Sequence, residues 1–300
     1  SIALAYCGFR SECAFEFLER QERVGGVLIG TPRIRTRENN ESERHTGLLQ
    51  LGHKIGQGEI RLTQLTTGLD RGTPGLDSTP LTSAHEENLS TLSSLSIEHP
   101  VSILPDGKFD LTFSHRFESN DFENFQVGLA EDPVDSETEV ERFTLRARAS
   151  IRGSALAAEH EFSLLGEGQI DQRRSNEADS RSRGAISLRA ELTSGWLSNR
   201  LRISPSLRFE RLQGLDPEWI PGVFVHILPM EWIELKSSAS RSYRAPSFQE
   251  LYLPNKGFIR GNENLEPERA WNYEVGVVLK SPFESSWLDA EIEATGFWGE

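Results

Sequence analysis

Apolar and polar residues alternate one by one along the middle of the chain. Phe109, Leu111, Phe113 and Phe117 fall on one side of an extended segment, against Lys108, Asp110, Thr112, Ser114, Arg116 and Glu118 on the other. Phe143, Leu145, Ala147, Ala149 and Ile151 oppose Arg142, Thr144, Arg146, Arg148, Ser150 and Arg152 in the same way. A period of two is that of a β-strand, not of a helix. The same rhythm recurs at Ile186 to Leu192, Leu201 to Phe209, Tyr273 to Leu279 and Leu288 to Ala294. It predicts strands over 1–7, 13–21, 44–52, 58–67, 92–103, 107–117 and 141–151. Seven more follow over 160–170, 184–193, 200–212, 222–228, 232–242, 270–280 and 287–298.

Most of these segments are about 9 to 11 residues long, which a tilted strand needs to cross a bilayer. Strands of soluble domains are nearer five or six residues. The connections sort into two interleaved classes. Short ones follow Cys7 and lie near His53, Leu104, Arg152, Ser194, Pro229 and Ser281. Long ones span 22–43, 68–91, 118–140, 171–183, 213–221 and 243–269. Short turns at one rim and long loops at the other belong to a membrane barrel, whereas a sandwich has no reason to sort its loops by side. The fold expected is all-β, an antiparallel transmembrane β-barrel represented by about 14 strands.

Energetics fixes which face meets lipid. An arginine on the lipid face near the midplane costs roughly 2 to 4 kcal/mol, so Arg142, Arg146, Arg148 and Arg152 together would oppose a whole domain's stability of about 5 to 15 kcal/mol. They must face water, and the apolar row of the same strand meets hydrocarbon. A chain with 26% charged residues can therefore still span a membrane. Trp196, Trp219, Trp232, Trp271, Trp287 and Trp298 mostly sit near strand ends, where an interfacial girdle would place them.

Composition narrows the classes further. The net charge of -14 argues against a nucleic-acid partner, which needs a basic face. No run of about 18 apolar residues occurs, which excludes helical spans but not strands. The chain starts at Ser1 without a leader-like pattern and stops at Glu300 inside an alternating stretch, and so reads as a fragment. No composition shift or repeat marks a second domain. Cys7 and Cys13 flank an expected tight turn and suit either two free thiols or a disulfide.

Catalytic patterns are absent. The seven histidines are scattered, with no H-E-x-x-H, and His99 and His115 are expected on a lumen-facing side. Gly166-Glu167-Gly168 and Gly56-Gln57-Gly58 lack the third glycine and helix of a phosphate loop. No nucleophile elbow is present. The chain is read as a non-enzyme, and no cofactor or metal is assigned to it. Two segments carry unusual charge. Asp121, Glu123, Glu131, Asp132, Asp135, Glu137 and Glu139 supply enough oxygen for a divalent cation if that loop folds around it, or simply a solvated acidic loop. Arg173, Arg174, Arg181 and Arg183 suit lipopolysaccharide phosphate or an anionic ligand, or surface arginines with no fixed partner.

The most distinctive stretch reads SRSYRAPSFQELYLPNKGFIRGNENLEPERAWNYEVGVV from Ser240, two strand-like ends around about 27 residues rich in Gly, Pro and Asn. A loop of that length is rarely idle. Arg244, Pro246, Phe248, Glu250, Leu251 and Tyr252, followed by Gly261, Asn262, Asn264, Leu265, Pro267 and Glu268, resemble the signature found late in the barrel of TonB-dependent outer-membrane receptors. Glu263 stands where that family usually has proline between the two asparagines. Gly72-Thr73-Pro74-Gly75 and Asn39-Asn40 are weaker points of likeness.

The resemblance implies one barrel domain over 1–300, part of a barrel of about 22 strands whose plug and last strands lie outside this chain. It further implies a receptor in the outer membrane of a Gram-negative bacterium that imports a ferric siderophore, cobalamin or similar scarce nutrient. The partners implied are the TonB complex, outer-membrane lipid with lipopolysaccharide, and the small ligand. A passive porin and a soluble β-rich binding module are the alternatives. Arg244, Glu250 and Glu268 would form a polar network in the loop, while Pro246, Pro254, Gly261 and Pro267 would shape it.

Overall fold

A computed structural model describes residues 1–18, 22–24, 27–29, 33–76, 79–80, 83–101, 106–124, 134–253, 260–281 and 290–300. Thirteen strands form one antiparallel sheet in strict sequence order. They are β1 (Ile2–Ser11), β2 (Ser42–Ile55), β3 (Gly58–Gly72), β4 (His85–Val101), β5 (Gly107–Asn124), β6 (Val134–Ala155) and β7 (Ala158–Ser175). The rest are β8 (Arg181–Trp196), β9 (Leu201–Leu212), β10 (Glu218–Met230), β11 (Ile233–Arg244), β12 (Glu268–Lys280) and β13 (Glu291–Gly299). The sheet is open, with β1 and β13 at its edges. No helix among the described residues is long and apolar enough to cross a membrane.

The two faces differ as the alternation requires. Across neighbouring strands Leu62, Leu95, Phe113, Leu145, Gly168 and Ile186 share one rung of one face. Their large side chains are open, Phe113 at 46%, Leu145 at 52% and Ile186 at 58% exposure. The other face carries ion pairs, Arg146 to Glu167 at 2.8 Å, Arg152 to Glu161 at 3.0 Å and Arg189 to Glu191 at 2.7 Å. Buried aliphatic residues among those described are only Ala84, Ala158, Leu212 and Val278. With so little apolar core between layers, the sheet has the section of a membrane wall, not of a two-layer soluble domain.

The structure departs from the sequence expectations in several places. The described part of the strand expected over 13–21 does not join the sheet, and 19–21 lie outside the described residues. Glu16–Leu18 pairs instead with Ile34–Thr36 in a small separate ribbon, and β1 continues through Cys7 to Ser11, so no turn lies between Cys7 and the strand end. The reason is the β1–β2 register, which runs unbroken to Arg10 opposite Glu43 and Ser11 opposite Ser42. Both cysteines are free and exposed. His99 and His115 point to the apolar face rather than the lumen, opposite Phe109 and Ser93, six residues apart along β4.

The strands are also longer than a bilayer needs. β6 has 22 residues, whereas about 9 to 11 suffice to cross. The segments expected as loops over 118–140 and 171–183 are largely the upper halves of β5 to β8, zipped in register beyond the apolar band. At that rim 176–180 and 213–217 are short, beside the longer 12–41, 73–84 and 245–267. The opposite rim has tight turns. Two residues, Leu156 and Ala157, join β6 to β7, and two, Glu231 and Trp232, join β10 to β11. Trp196 and Trp219 lie at strand ends, while Trp287 falls outside the described residues.

Candidate functional site

The connection from β11 to β12 folds into a compact strap. Ser247 caps a five-residue helix, α1 (Phe248–Tyr252), in a capping box with Glu250. The Ser247 amide donates to Glu250 Oε2 at 2.7 Å, and the Glu250 amide donates to Ser247 Oγ at 3.2 Å. Arg244 closes the arrangement from the end of β11, bonding the Glu250 carboxylate and reaching Glu268 Oε1 at 2.9 Å. The Ser247 amide and then Arg244 hold the Glu250 carboxyl down to about 2. Arg244 is raised above its usual value, chiefly by its bond to Glu250.

The far arm of the loop returns against this helix. The Gly261 amide donates to Leu253 O at 2.8 Å and the Asn262 amide to Glu250 O at 2.9 Å. A Cβ at position 261 would stand 2.5 Å from Leu251 O and from Leu253 N, so only glycine fits. Asn262 Oδ1 accepts from the Asn264 amide at 3.0 Å, and the Leu265 amide donates to Asn262 O at 3.2 Å, closing a turn that contains Glu263. Glutamate serves there because the turn is set by Asn262. Pro267 O accepts from Arg269 at 3.4 Å. Pro254 lies outside the described residues.

Two arginines of β8 dock the strap to the wall. Arg183 Nη1 donates to Pro246 O at 2.7 Å, and its guanidinium lies 4.7 Å from the Phe248 ring centre. Arg181 lies 4.6 Å from the centre of Tyr252. Both belong to the same face as Arg189, by the two-residue period. Leu251, Leu265, Phe248 and Tyr252 line a cavity of about 250 Å³ between the strap and Leu212 to Leu215.

All twelve residues singled out in the sequence thus lie in one structure, with Arg244, Glu250 and Glu268 in direct contact. The arginine segment took a different part from those expected: Arg181 and Arg183 have partners inside the chain, and Arg174 pairs with Glu139 at 3.6 Å. Sequence reasoning missed that docking and also Glu218, which is 8% exposed and gathers Arg241 at 3.2 Å and Arg269. Those pairs join residues 23 to 71 positions apart, and no spacing rule reaches so far. The weaker points of likeness also meet: Asn39 Nδ2 donates to Ala84 O at 2.7 Å and to Thr73 O at 3.2 Å.

Among the described residues the acidic segment is strand, not a loop cage. Asp121, Glu123, Asp135, Glu137 and Glu139 are strand residues in the β5–β6 ladder, and Glu131 and Asp132 lie outside the described residues.

A sheet of long antiparallel strands with an apolar outer face, a charged inner face and a strapped rim defines a membrane β-barrel wall. Residues 25–300 match the family described as TonB dependent receptor-like, beta-barrel, and the chain belongs to that family of transport receptors. It is 32% identical over 74 residues to transferrin-binding protein A of Neisseria meningitidis serogroup B, a match covering 24% of this chain and 8% of that protein. The vitamin B12 transporter BtuB of Vibrio vulnificus (strain YJ016) is 37% identical over 57 residues, 19% of this chain and 9% of that one. Among solved structures, the Serratia marcescens hemophore receptor HasR, in complex with its hemophore HasA and heme, shares the fold. Its TM-score is 0.72 at 15% identity, over 99% of this chain and 49% of that one. The matched regions are thus under a tenth of the two curated relatives and about half of the HasR chain.

Proposed function

We propose that this chain is the barrel domain, over 1–300, of an outer-membrane receptor that imports a scarce nutrient of the ferric siderophore, heme or cobalamin kind with energy delivered by TonB. The host is a Gram-negative bacterium, and the wall sits among outer-membrane lipid and lipopolysaccharide. Loops at the long-loop rim bind the ligand, and a plug inside the barrel shifts to open the path.

The observation that carries this reading is the strap from Arg244 to Glu268, fixed by Arg181 and Arg183 to the charged face of the neighbouring wall. A fixed strap gives a ligand-binding rim a defined shape before the ligand arrives, which lowers the ordering cost of binding. The relatives support the class of cargo, since their names concern transferrin, vitamin B12 and heme.

The test is uptake by the full-length receptor in cells with and without TonB, offered hemin, ferric siderophores and cobalamin in turn. Uptake of one of these that vanishes without TonB is expected. Uptake unchanged by loss of TonB would overturn the proposal and leave a passive pore.

A further inference from the structure

Above the apolar band, the outer face of β2 to β6 carries a row of carboxylates that the importer reading does not use. Register sets Glu43 opposite Asp70, Asp70 opposite Glu87, Glu87 opposite Asp121, and Asp121 opposite Glu137. The next rung sets His85 opposite Glu123, and Glu123 opposite Asp135. Like charges directly opposite one another destabilise a sheet. Arg10 stands beyond Glu43 at one end of the row, but no lysine or arginine interrupts it from Glu43 to Glu137.

At the centre of the row, ligand atoms of Asp70, His85 and Glu87 all lie within 4.8 Å of one another. His85 Nε2 is 3.3 Å from Asp70 Oδ1 and 3.6 Å from Glu87 Oε1. Ligands at about 2.1 Å from a tetrahedral ion stand about 3.4 Å apart, so His85 already stands at that spacing from a carboxylate on each side. One strand further on, Asp121 Oδ1 is shielded from solvent and has no hydrogen-bond partner. It lines, with Glu43, His45, Asp70 and Glu87, a groove of about 580 Å³.

We propose that Asp70, His85 and Glu87 form a binding site for one divalent transition ion, with Zn²⁺ as the reference case. Two carboxylate oxygens and one imidazole nitrogen suit zinc and its neighbours, whereas calcium takes six to eight oxygens. Water fills the fourth position, because the trio is open to solvent. The ion neutralises the middle of the row and ties β3 to β4 where their ladder ends. It lies on the face opposite the lumen, and is therefore a resident ion of the wall, not cargo on the import path.

The full-length receptor, purified in detergent and stripped with EDTA, is titrated with ZnCl₂ by calorimetry. One saturable site per chain is expected, weakened tenfold or more by His85→Ala and by Glu87→Gln. His53→Ala, at the far end of β2, should leave it unchanged, and calcium should not displace the zinc. Each variant's fold is checked by the heat-dependent shift of barrel migration in gels. No saturable site, native affinity retained in His85→Ala or Glu87→Gln, or displacement by equimolar calcium would overturn the assignment.

Discussion

Arg183 donates to the carbonyl oxygen of Pro246 at 2.7 Å across 63 residues of sequence. That bond, with the guanidinium over the Phe248 ring, joins Arg181 over Tyr252 in holding the strap against the wall. A charge-assisted hydrogen bond contributes about 1.5 to 3 kcal/mol and an exposed cation–π contact about 0.5 to 1. Replacing Arg183 with Ala should therefore raise hydrogen exchange of the amides of Gly261 and Asn262 roughly tenfold or more. Lysine should not restore protection, since it lacks the planar fork that bonds and stacks at once. Equal protection in Arg183→Lys and the native chain would show that charge alone suffices.

The strap should also respond to acid in a defined window. Glu250 has its carboxyl lowered from 4.5 to about 2 when folded. The unfolded loop therefore binds more protons between those values, and the strap's stability falls as pH falls through that range. Above about 5 this contribution is fully present. Limited proteolysis within 245–267 should be flat with pH above 5 and rise steadily below 4.5, and Glu250→Gln should abolish the pH dependence while raising cleavage throughout.

How much of this was legible in the sequence depends on the range of each interaction. Alternation is a property of neighbours, so the facing of Phe113, Leu145 and Arg146 could be read directly. The tight turns of one rim were legible, because turns such as Leu156-Ala157 are local, but the expected long loops over 171–183 and 213–221 shrank to 176–180 and 213–217. The top of the barrel was not legible. Polar residues such as Ser119 and Asp121 on the outward positions break the apolar alternation, yet the strands continue because each rung is closed by backbone bonds to both neighbours rather than by burial. The strand expected over 13–21 failed for the complementary reason: an alternating segment finds a sheet only if its register partner is free, and β2 is already taken by β1. The strap's residues could be singled out by likeness, but their docking on Arg181 and Arg183 needed the fold.

Facing makes a direct prediction for insertion. Leu145 is exposed on the apolar face and Arg146 pairs with Glu167 at 2.8 Å on the other. Leu145→Arg places a charge toward lipid at a cost of roughly 2 to 4 kcal/mol near the midplane. Arg146→Leu removes an exposed ion pair, with an expected cost within about 1 kcal/mol. Refolding yield into lipid vesicles should therefore fall sharply for the first and little for the second. Equal losses would mean that the two faces are assigned the wrong way or that neither meets lipid.

The tight turns at the opposite rim hold conformational energy that substitution can release. Leu156 and Ala157 have φ of 52° and 60°, the left-handed region that side chains disfavour. A two-residue hairpin turn of type I′ requires positive φ at both positions and usually draws Asn and Gly. The backbone accepts Leu and Ala here because the ladder on either side, Ala155 opposite Ala158 and Ser154 opposite Glu159, leaves no other closure. A non-glycine residue held this way costs on the order of 1 to 3 kcal/mol, of which part returns as lost chain entropy when glycine is introduced. Ala157→Gly should stabilise the barrel by about 1 kcal/mol, seen as a higher urea midpoint in detergent with an unchanged slope. Ala157→Val should do the opposite, since branching at Cβ worsens the same clash. A midpoint that moves the same way for both substitutions would mean that the turn relaxes to another conformation and holds no such strain.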